Sequence, residues 1–280
     1  MPGDNIKIGV MAPGSRIDQA IAGRVGDIAA SLDPSIDLHF HPQCFLASGH
    51  FAGDDAARTA AFLDIANDDS FDALWFARGG YGSCRIAEAS IARLTAVARD
   101  KLYLGYSDAG SLLAGLYKAG FTGLAHGPMP SDILRAGGEA AIKRGLAYLT
   151  GRSPDALEPS ASADTQTAAF NIVVLSQLLG TPLQPDLSDH VLMLEEVAEY
   201  MYRIDRFLFH ITSNPGIRRV AGIRLGRCSG IQPNEPDFGQ SEEQTIRHWC
   251  AVSGIPYLGR ADIGHDADNK IVPFGRPQPA

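Results

Sequence analysis

Two periods of apolar residues alternate along the first half of the chain. Short apolar runs typical of buried strands lie at 6–11, 38–40, 73–77 and 101–104. Between them, apolar residues recur at the three- and four-residue spacing of amphipathic helices, at 17–32, 54–66, 84–94 and 108–117. Strands that alternate with helices form parallel sheets covered by helices. The first half therefore predicts an α/β domain, which binds ligands at the carboxyl ends of its strands.

The composition changes at 150–167, a stretch rich in Ser, Ala, Pro, Asp and Thr with little apolar periodicity. Such a stretch is typical of a linker between domains. Beyond it, strand patterns at 190–194 and 220–225 accompany helical patterns at 170–179, 204–212 and 244–252. These patterns predict an N-terminal α/β domain at 1–150, a linker at 151–167 and a smaller C-terminal domain at 168–280.

Composition argues against several classes of protein. The 280 residues are 45% hydrophobic and 20% charged, which is typical of a soluble globular protein. A formal net charge of −8 without a basic stripe argues against nucleic-acid binding. The four cysteines are widely spaced and form no metal or redox motif, and no signal peptide or membrane span is recognisable. We expect a reduced, cytoplasmic protein that does not bind membranes.

A serine occupies a predicted strand-to-helix corner at Gly105-Tyr106-Ser107-Asp108. Such a corner pushes the Ser107 hydroxyl out of the fold, as in a nucleophile elbow. The amide of Asp108 then lies at a helix N-terminus, where it can stabilise an oxyanion. The match to G-x-S-x-G is incomplete because position 109 is alanine. The alternative interpretation is that Ser107 and Asp108 only cap the helix.

A serine nucleophile needs a histidine base and a carboxylate that orients it. Among eight histidines, His265 lies in a polar, glycine-containing loop of the kind that often carries catalytic groups. Glu195 directly follows an apolar strand, where its side chain can be held rigidly, and Glu196 and Glu199 compete with it. Each of these residues, taken alone, is also compatible with an ordinary surface position.

A second glycine-rich loop, Arg78-Gly79-Gly80-Tyr81-Gly82, follows the strand predicted at 73–77. Three glycines around Tyr81 allow the backbone to approach a ligand closely, although a tight turn alone would explain them. The chain lacks both G-x-G-x-x-G and a P-loop lysine, so nucleotide-dependent chemistry is not indicated. We expect no organic cofactor.

Taken together, these motifs resemble the LD-carboxypeptidase family of serine peptidases, which includes muramoyl-tetrapeptide carboxypeptidases and microcin C self-immunity peptidases. The resemblance covers nearly the whole chain. It rests on the order and spacing of segments at 9–13, 78–82, 105–108, 126–128, 179–182, 194–197, 202–206 and 264–265.

The resemblance implies a flavodoxin-like N-terminal domain and a smaller C-terminal domain with a barrel-like sheet. It implies a catalytic triad of Ser107, Glu195 and His265, with the backbone amides of Gly80 and Asp108 as the oxyanion hole. It further implies a cytoplasmic homodimer that needs no metal. Ala169-Phe170 stands where members commonly carry Gly-Gly, which bears on substrate preference or domain packing.

The expected reaction is hydrolysis of a small peptide, with release of the terminal D-alanine of murein tetrapeptide in cell-wall recycling. Arg78 and Arg203 are candidates to bind the terminal carboxylate, because the guanidinium fork matches its two oxygens, and Tyr81 lies beside them in the predicted site. One alternative is a peptidase of peptidyl-nucleotides, with Trp75, Phe170 or Tyr202 stacking on the base. Another alternative is a non-catalytic small-molecule binder, in which the three triad residues lie far apart.

Overall fold

The N-terminal part of the chain alternates strands and helices as the apolar pattern predicts. The computed structural model describes residues 5–151 and 153–277. The elements of this part are β1 (Ile6–Met11), α1 (Gln19–Leu32), β2 (Ile36–Phe40), α2 (Asp55–Ala66), β3 (Ala73–Phe76), α3 (Ser83–Ile91), β4 (Leu102–Gly105), α4 (Gly110–Lys118), β5 (Leu124–His126) and α5 (Gly138–Gly151).

Local chemistry explains where these elements begin. Asp18 and Asp54 cap α1 and α2, since each carboxylate accepts a hydrogen bond at 2.8 Å from the amide three residues later. Strands β3 and β4 are buried at every position, as expected for parallel strands covered by helices on both faces. The carboxyl ends of β1, β3 and β4 therefore open onto one edge of the sheet.

The C-terminal part forms a second, smaller sheet. Its elements are β6 (Thr167–Asn171), α6 (Ile172–Leu178), β7 (Val191–Val197), α7 (Met201–Ser213), β8 (Gly222–Ser229), α8 (Glu242–Ser253), β9 (Tyr257–Arg260) and β10 (Val272–Pro273). Strands β6, β7, β8 and β9 are adjacent in that order and all parallel. Phe170 belongs to β6, so the prediction of a helix over 170–179 is wrong at its start. A short, fully buried apolar run does not distinguish strand from helix.

The last strand returns to the first sheet. The order there is β10-β5-β4-β3-β1-β2, with β10 antiparallel to β5 and the other pairs parallel. Strands β1 to β5 thus have the flavodoxin-like order, and the predicted two-part α/β fold class is confirmed. Within β5, His126 pairs with Gly105 on one side and with Val272 on the other.

The two sheets share one hydrophobic core. Phe170 of β6 contacts Phe274 edge-to-face, with ring centroids 5.2 Å apart, and its ring also lies against Gly110 at the start of α4. Phe170 is 1% exposed, so it contributes to packing between the two sheets. Among the described residues, no helix has the length and apolar character needed to cross a membrane.

Candidate active site

Ser107 lies on a sharp turn between β4 and α4. Its φ is 59°, in the left-handed region that disfavours residues with a Cβ atom by about 1–2 kcal/mol. A short 3₁₀ turn over Ser107–Ala109 leads directly into Gly110 of α4. Strain of this kind is concentrated at functional sites. The backbone geometry is that of the nucleophile elbow expected from the sequence.

The glycine-rich loop after β3 packs directly against Ser107. A Cβ atom on Gly79 would lie 2.9 Å from both Cβ and Oγ of Ser107, so a side chain there would displace the hydroxyl. Gly80 has φ 79°, and a Cβ atom on it would overlap the hydroxyl of Ser15. The loop after β1 completes the contact, because the Ser15 amide donates to the Gly79 carbonyl at 3.3 Å. Loops from three strand ends thus meet beside one hydroxyl group.

Two buried polar groups fix these loops. The carboxylate of Asp108 accepts a hydrogen bond at 2.7 Å from the amide of Ser83, at the start of α3. Burial raises the pKa of Asp108, although the hydrogen bonds from Ser83 and Gly82 act against this. Arg58, whose side chain is fully buried, donates to the carbonyls of Pro13 and Gly82 and so joins the loops after β1 and β3. The amphipathic pattern of α2 does not single out Arg58, because a basic residue in such a helix normally faces solvent.

Glu195 and His265 form a buried pair. The Nδ1 atom of His265 lies 2.5 Å from Oε2 of Glu195, and the two side chains are 7% and 0% exposed. Glu195 lies where the register between β7 and β8 shifts, and Gly226 on β8 leaves room for its Cβ atom. A β-bulge changes the direction of a side chain relative to a regular strand, which explains how Glu195 is directed toward His265.

The pKa of His265 reflects opposing effects. Burial alone lowers it, but the charge of Glu195 and the hydrogen bond to that carboxylate raise it, and the net direction is upward. The loop that carries His265 is fixed on both sides. The amide of Gly264 donates to Oδ1 of Asn269 at 3.1 Å, and Arg227 binds Asp266 at 2.5 Å.

Tyr106 connects this pair to the nucleophile. It precedes Ser107 in the chain, and its ring centroid lies 4.8 Å from that of His265. The opposite neighbour is His126, at 5.4 Å, whose pKa burial lowers to about 4, so that it remains neutral at physiological pH. The Tyr106 hydroxyl donates to Asp132 at 2.8 Å, which fixes the ring in place. The imidazole of His265 therefore lies next to the residue adjoining Ser107.

Comparison with known proteins identifies the family of the chain. The LD-carboxypeptidase N-terminal domain matches residues 8–127, and the LD-carboxypeptidase C-terminal domain matches residues 166–278. A relative from Synechocystis sp. is 32% identical over 234 residues, which span 81% of this chain and 75% of the relative. The chain belongs to the LD-carboxypeptidase family.

The chain is also similar to a more distant relative in sequence and to two solved structures in fold. The murein tetrapeptide carboxypeptidase of Pseudomonas aeruginosa is 24% identical over 257 residues, 86% of this chain and 82% of that protein. The muramoyltetrapeptide carboxypeptidase of Oxalobacter formigenes superposes with a TM-score of 0.80 at 21% identity, covering 96% and 92% of the two chains. The microcin C7 self immunity protein MccF has the same fold, with a TM-score of 0.79 at 15% identity and coverage of 98% and 92%. Its membership of the LD-carboxypeptidase family makes the protein a carboxypeptidase, a hydrolase.

In this carboxypeptidase the three acidic residues considered as triad members have different partners. Glu195 binds His265. Glu196 is buried and accepts hydrogen bonds from Nδ2 of Asn171 and the amide of Val173, which attach the start of α6 to β7, and from the amide of the next residue in β7. Glu199 forms an ion pair with Arg203 at 3.1 Å. The choice of Glu195 rested on a strand that ends at residue 194, whereas β7 continues to Val197 and places Glu195 inside the strand. Its role as the triad carboxylate remains a prediction.

The residues predicted to bind substrate differ in their contacts and exposure. Arg78 donates to the carbonyl of Arg16 at 3.2 Å. Tyr81 is 55% exposed and its ring lies 6.2 Å from that of Phe51. Arg203 is engaged by Glu199 on the exposed start of α7. These three assignments remain predictions.

Only one of the three aromatic residues considered for base stacking is accessible. Trp75 is fully buried and donates its Nε1 proton to the carbonyl of Pro128 at 2.7 Å. Phe170 lies in the core, whereas Tyr202 is 47% exposed. A nucleotide-binding role for Trp75 or Phe170 would require the core to open.

Proposed function

We propose that this carboxypeptidase releases the terminal D-alanine of murein tetrapeptide with Ser107 as nucleophile, His265 as base and Glu195 as the orienting carboxylate. The observation that carries the proposal is the buried hydrogen bond between Glu195 and His265, made beside the ring of Tyr106. The murein substrate is suggested by the names of relatives, such as the murein tetrapeptide carboxypeptidase of Pseudomonas aeruginosa.

The hydrogen bond determines which nitrogen of His265 does the chemistry. With Nδ1–H donating to Glu195, Nε2 carries the lone pair that accepts the Ser107 proton as the hydroxyl attacks the carbonyl carbon. The resulting imidazolium is stabilised by the Glu195 carboxylate and then protonates the leaving amine of D-alanine. Water repeats the sequence on the acyl-enzyme, which regenerates Ser107.

The oxyanion of each tetrahedral intermediate needs donors that are already in place. In our proposal these donors are the amides of Gly80 and Asp108. Gly80 is in contact with Ser15, and the loop that carries it packs on Ser107. Asp108 follows Ser107 in the turn that leads into α4. Loss of one such donor typically lowers the rate by ~10²–10³.

The decisive experiment is hydrolysis of purified murein tetrapeptide by the wild type and by Ser107→Ala, with D-alanine quantified by D-amino-acid oxidase. We expect turnover by the wild type only, together with labelling of Ser107 by a fluorophosphonate. Full activity of Ser107→Ala would eliminate the mechanism. An inactive wild type that still labels at Ser107 would retain the nucleophile and reject the substrate.

A peptidyl-nucleotide substrate is the second candidate, because exposed Tyr202 offers a ring on which a base can stack. MccF, which shares the fold, has been solved in complex with aspartyl sulfamoyl adenosine. Chromatographic measurement of sulfamoyl adenosine released from an aminoacyl sulfamoyl adenosine, by the wild type and by Ser107→Ala, separates the two substrates. The third reading, a non-catalytic binder, requires separated triad residues, which the contact between Glu195 and His265 opposes.

We further propose that the enzyme acts as a homodimer and without a metal ion, as its family resemblance implies. Light scattering measures the mass in solution, and dialysis against a chelator tests the metal requirement. A monomeric mass, or a loss of activity that added metal restores, would contradict these two proposals.

A further inference from the structure

One arginine near His265 was not singled out by the sequence. Asp132 is 1% exposed and its carboxylate is shared by several donors. The amide of Met129 donates to Oδ2, whereas the Tyr106 hydroxyl and Nε of Arg135 donate to Oδ1, all at 2.8 Å. Nη2 of Arg135 also lies 3.3 Å from the Tyr106 hydroxyl. The guanidinium plane of Arg135 is thereby held by two of its nitrogens.

The remaining part of the guanidinium is open to a ligand. The Arg135 side chain is 36% exposed, whereas that of Asp132 is 2% exposed. Among the described residues, Nη1 of Arg135 has no hydrogen-bond partner. A fork held on one side and open on the other is preorganised for an anion, since little side-chain entropy remains to be lost on binding.

Arg135 contacts the same tyrosine, Tyr106, as His265 of the Glu195–His265 pair. The Tyr106 ring contacts His265, and its hydroxyl is the group next to Arg135. The positive charge of Arg135 is also felt by His265 and by Asp266, in each case lowering the pKa. The guanidinium is therefore within electrostatic range of the base and is held by the residue that adjoins Ser107.

Arg227 and Arg203 are engaged by carboxylates, whereas the hydrogen-bond partner of Arg78 among the described residues is the carbonyl of Arg16. Arg227 is bound by two carboxylates, Asp262 and Asp266, each at 2.5 Å. Arg203 is paired with Glu199, which supplies it with a charge partner at the surface. Arg135 shares its one carboxylate with Tyr106 and a backbone amide, so it retains more capacity to attract an anion.

We propose that Arg135 binds the carboxylate at the C-terminus of the substrate and so makes the enzyme selective for a free terminal acid. This inference rests on the proposed function. In a substrate whose last residue is released, the terminal carboxylate is one residue from the scissile carbonyl, a span of at most about 3.8 Å. A guanidinium that contacts the same tyrosine as His265 is a suitable partner for an anion this close to the reacting carbonyl.

The test uses murein tetrapeptide with a free terminal acid and the same peptide with a terminal amide. Both are titrated calorimetrically into Ser107→Ala, which binds without turnover. We expect the acid to bind roughly 10–100-fold more tightly than the amide, as charge-assisted hydrogen bonds imply. Adding Arg135→Ala should remove that preference by weakening binding of the acid alone, and Arg135→Lys should restore part of it.

Arg247→Ala is the matched control, because Arg247 also forms an ion pair within one helical turn, with Glu243, at an exposed site. It should leave the acid-to-amide ratio unchanged. The ratio also separates recognition from stability, since a partly unfolded variant loses affinity for both peptides alike. An unchanged ratio in Arg135→Ala, or no binding of either peptide by Ser107→Ala, would overturn the proposal.

The outcomes separate this inference from the proposed reaction. If the wild type hydrolyses the tetrapeptide and the preference for the acid is unchanged in Arg135→Ala, the proposed reaction is supported and the subsite is rejected. If the wild type shows no turnover, but Ser107→Ala loses its preference for the acid when Arg135 is also replaced, the subsite is supported and the proposed reaction is rejected.

Discussion

Replacing Glu195 with glutamine removes one charge from the candidate triad while keeping the size of the side chain. Glu195 is fully buried and holds Nδ1 of His265 at 2.5 Å. The amide of the variant can also donate to Nδ1, which would move the imidazole proton to Nε2, the nitrogen that accepts the Ser107 proton in the proposed mechanism. The variant therefore loses the stabilisation of the imidazolium and favours the wrong tautomer.

The size of the effect follows from the charge interaction. Two unit charges ~4 Å apart interact by about 4 kcal/mol at the effective dielectric constant of ~20 that describes protein sites. In the active form of the enzyme, whose His265 is neutral, the imidazolium appears only once Ser107 has lost its proton, so this energy acts on the transition state and not on that resting form. Each 1.36 kcal/mol is a factor of ten in rate, and kcat should therefore fall by about 10³.

The pH dependence of activity should also change in Glu195→Gln. Only neutral His265 accepts a proton, so activity is lost as pH falls through its pKa, which the wild type holds above 6.5. Without the charge and hydrogen bond of Glu195, burial dominates and the pKa of His265 falls below 6.5. The acid limb of kcat/KM should therefore move to lower pH even as the maximum rate declines.

The assay is D-alanine release from murein tetrapeptide across the pH range, with thermal unfolding as a check on folding. Glu243→Gln, which removes an exposed carboxylate paired with Arg247, is the control and should change the rate less than twofold. A variant Glu195→Gln with wild-type kcat would refute the role of the carboxylate. An acid limb that stays in place would refute the account of the His265 pKa.

Three further predictions follow from the same geometry. Gly79→Ala should slow fluorophosphonate labelling and turnover by roughly 10², because the new methyl group would lie 2.9 Å from the Ser107 hydroxyl oxygen. The control is Gly23→Ala, whose new Cβ atom would have nothing within 4 Å. Ser107→Gly should be more stable than Ser107→Ala by about 1 kcal/mol in urea unfolding, since glycine is not strained at φ 59°. Equal stabilities of the two variants would contradict backbone strain at this turn. Burial raises the pKa of Glu196 from 4.5 to about 7, which favours the folded state by about 3 kcal/mol while Glu196 is protonated. This contribution is full below pH 4.5 and is lost as pH rises through about 7. The free energy of unfolding of Glu196→Gln should therefore fall less steeply than that of the wild type between about pH 5 and 8. An equal slope in both proteins would reject this role of Glu196.

The sequence by itself determined the features that depend on local chain geometry. A buried strand followed by Ser107 and a small-residue helix produces a strained turn wherever it folds, and the glycines at 79 and 80 predict the close approach that occurs there. The order of strands and helices likewise determined the parallel sheet, because right-handed crossovers leave few other topologies. Glu195 was selected for its place at a strand end, and the structure locates it at a bulge in that strand.

The tertiary structure alone decided which remote residues meet. Strand β10 returns to pair with β5, and this return brings the His265 loop back beside the Ser107 turn from more than 150 residues away. Phe170 extends as a strand because a neighbouring strand pairs with it, which its own apolar run does not specify. The placement of Arg135 beside Tyr106 depends on the packing of a loop against a buried carboxylate. Periodicity records only which face of an element is buried, whereas the partner across the core is selected by the packing of the whole chain.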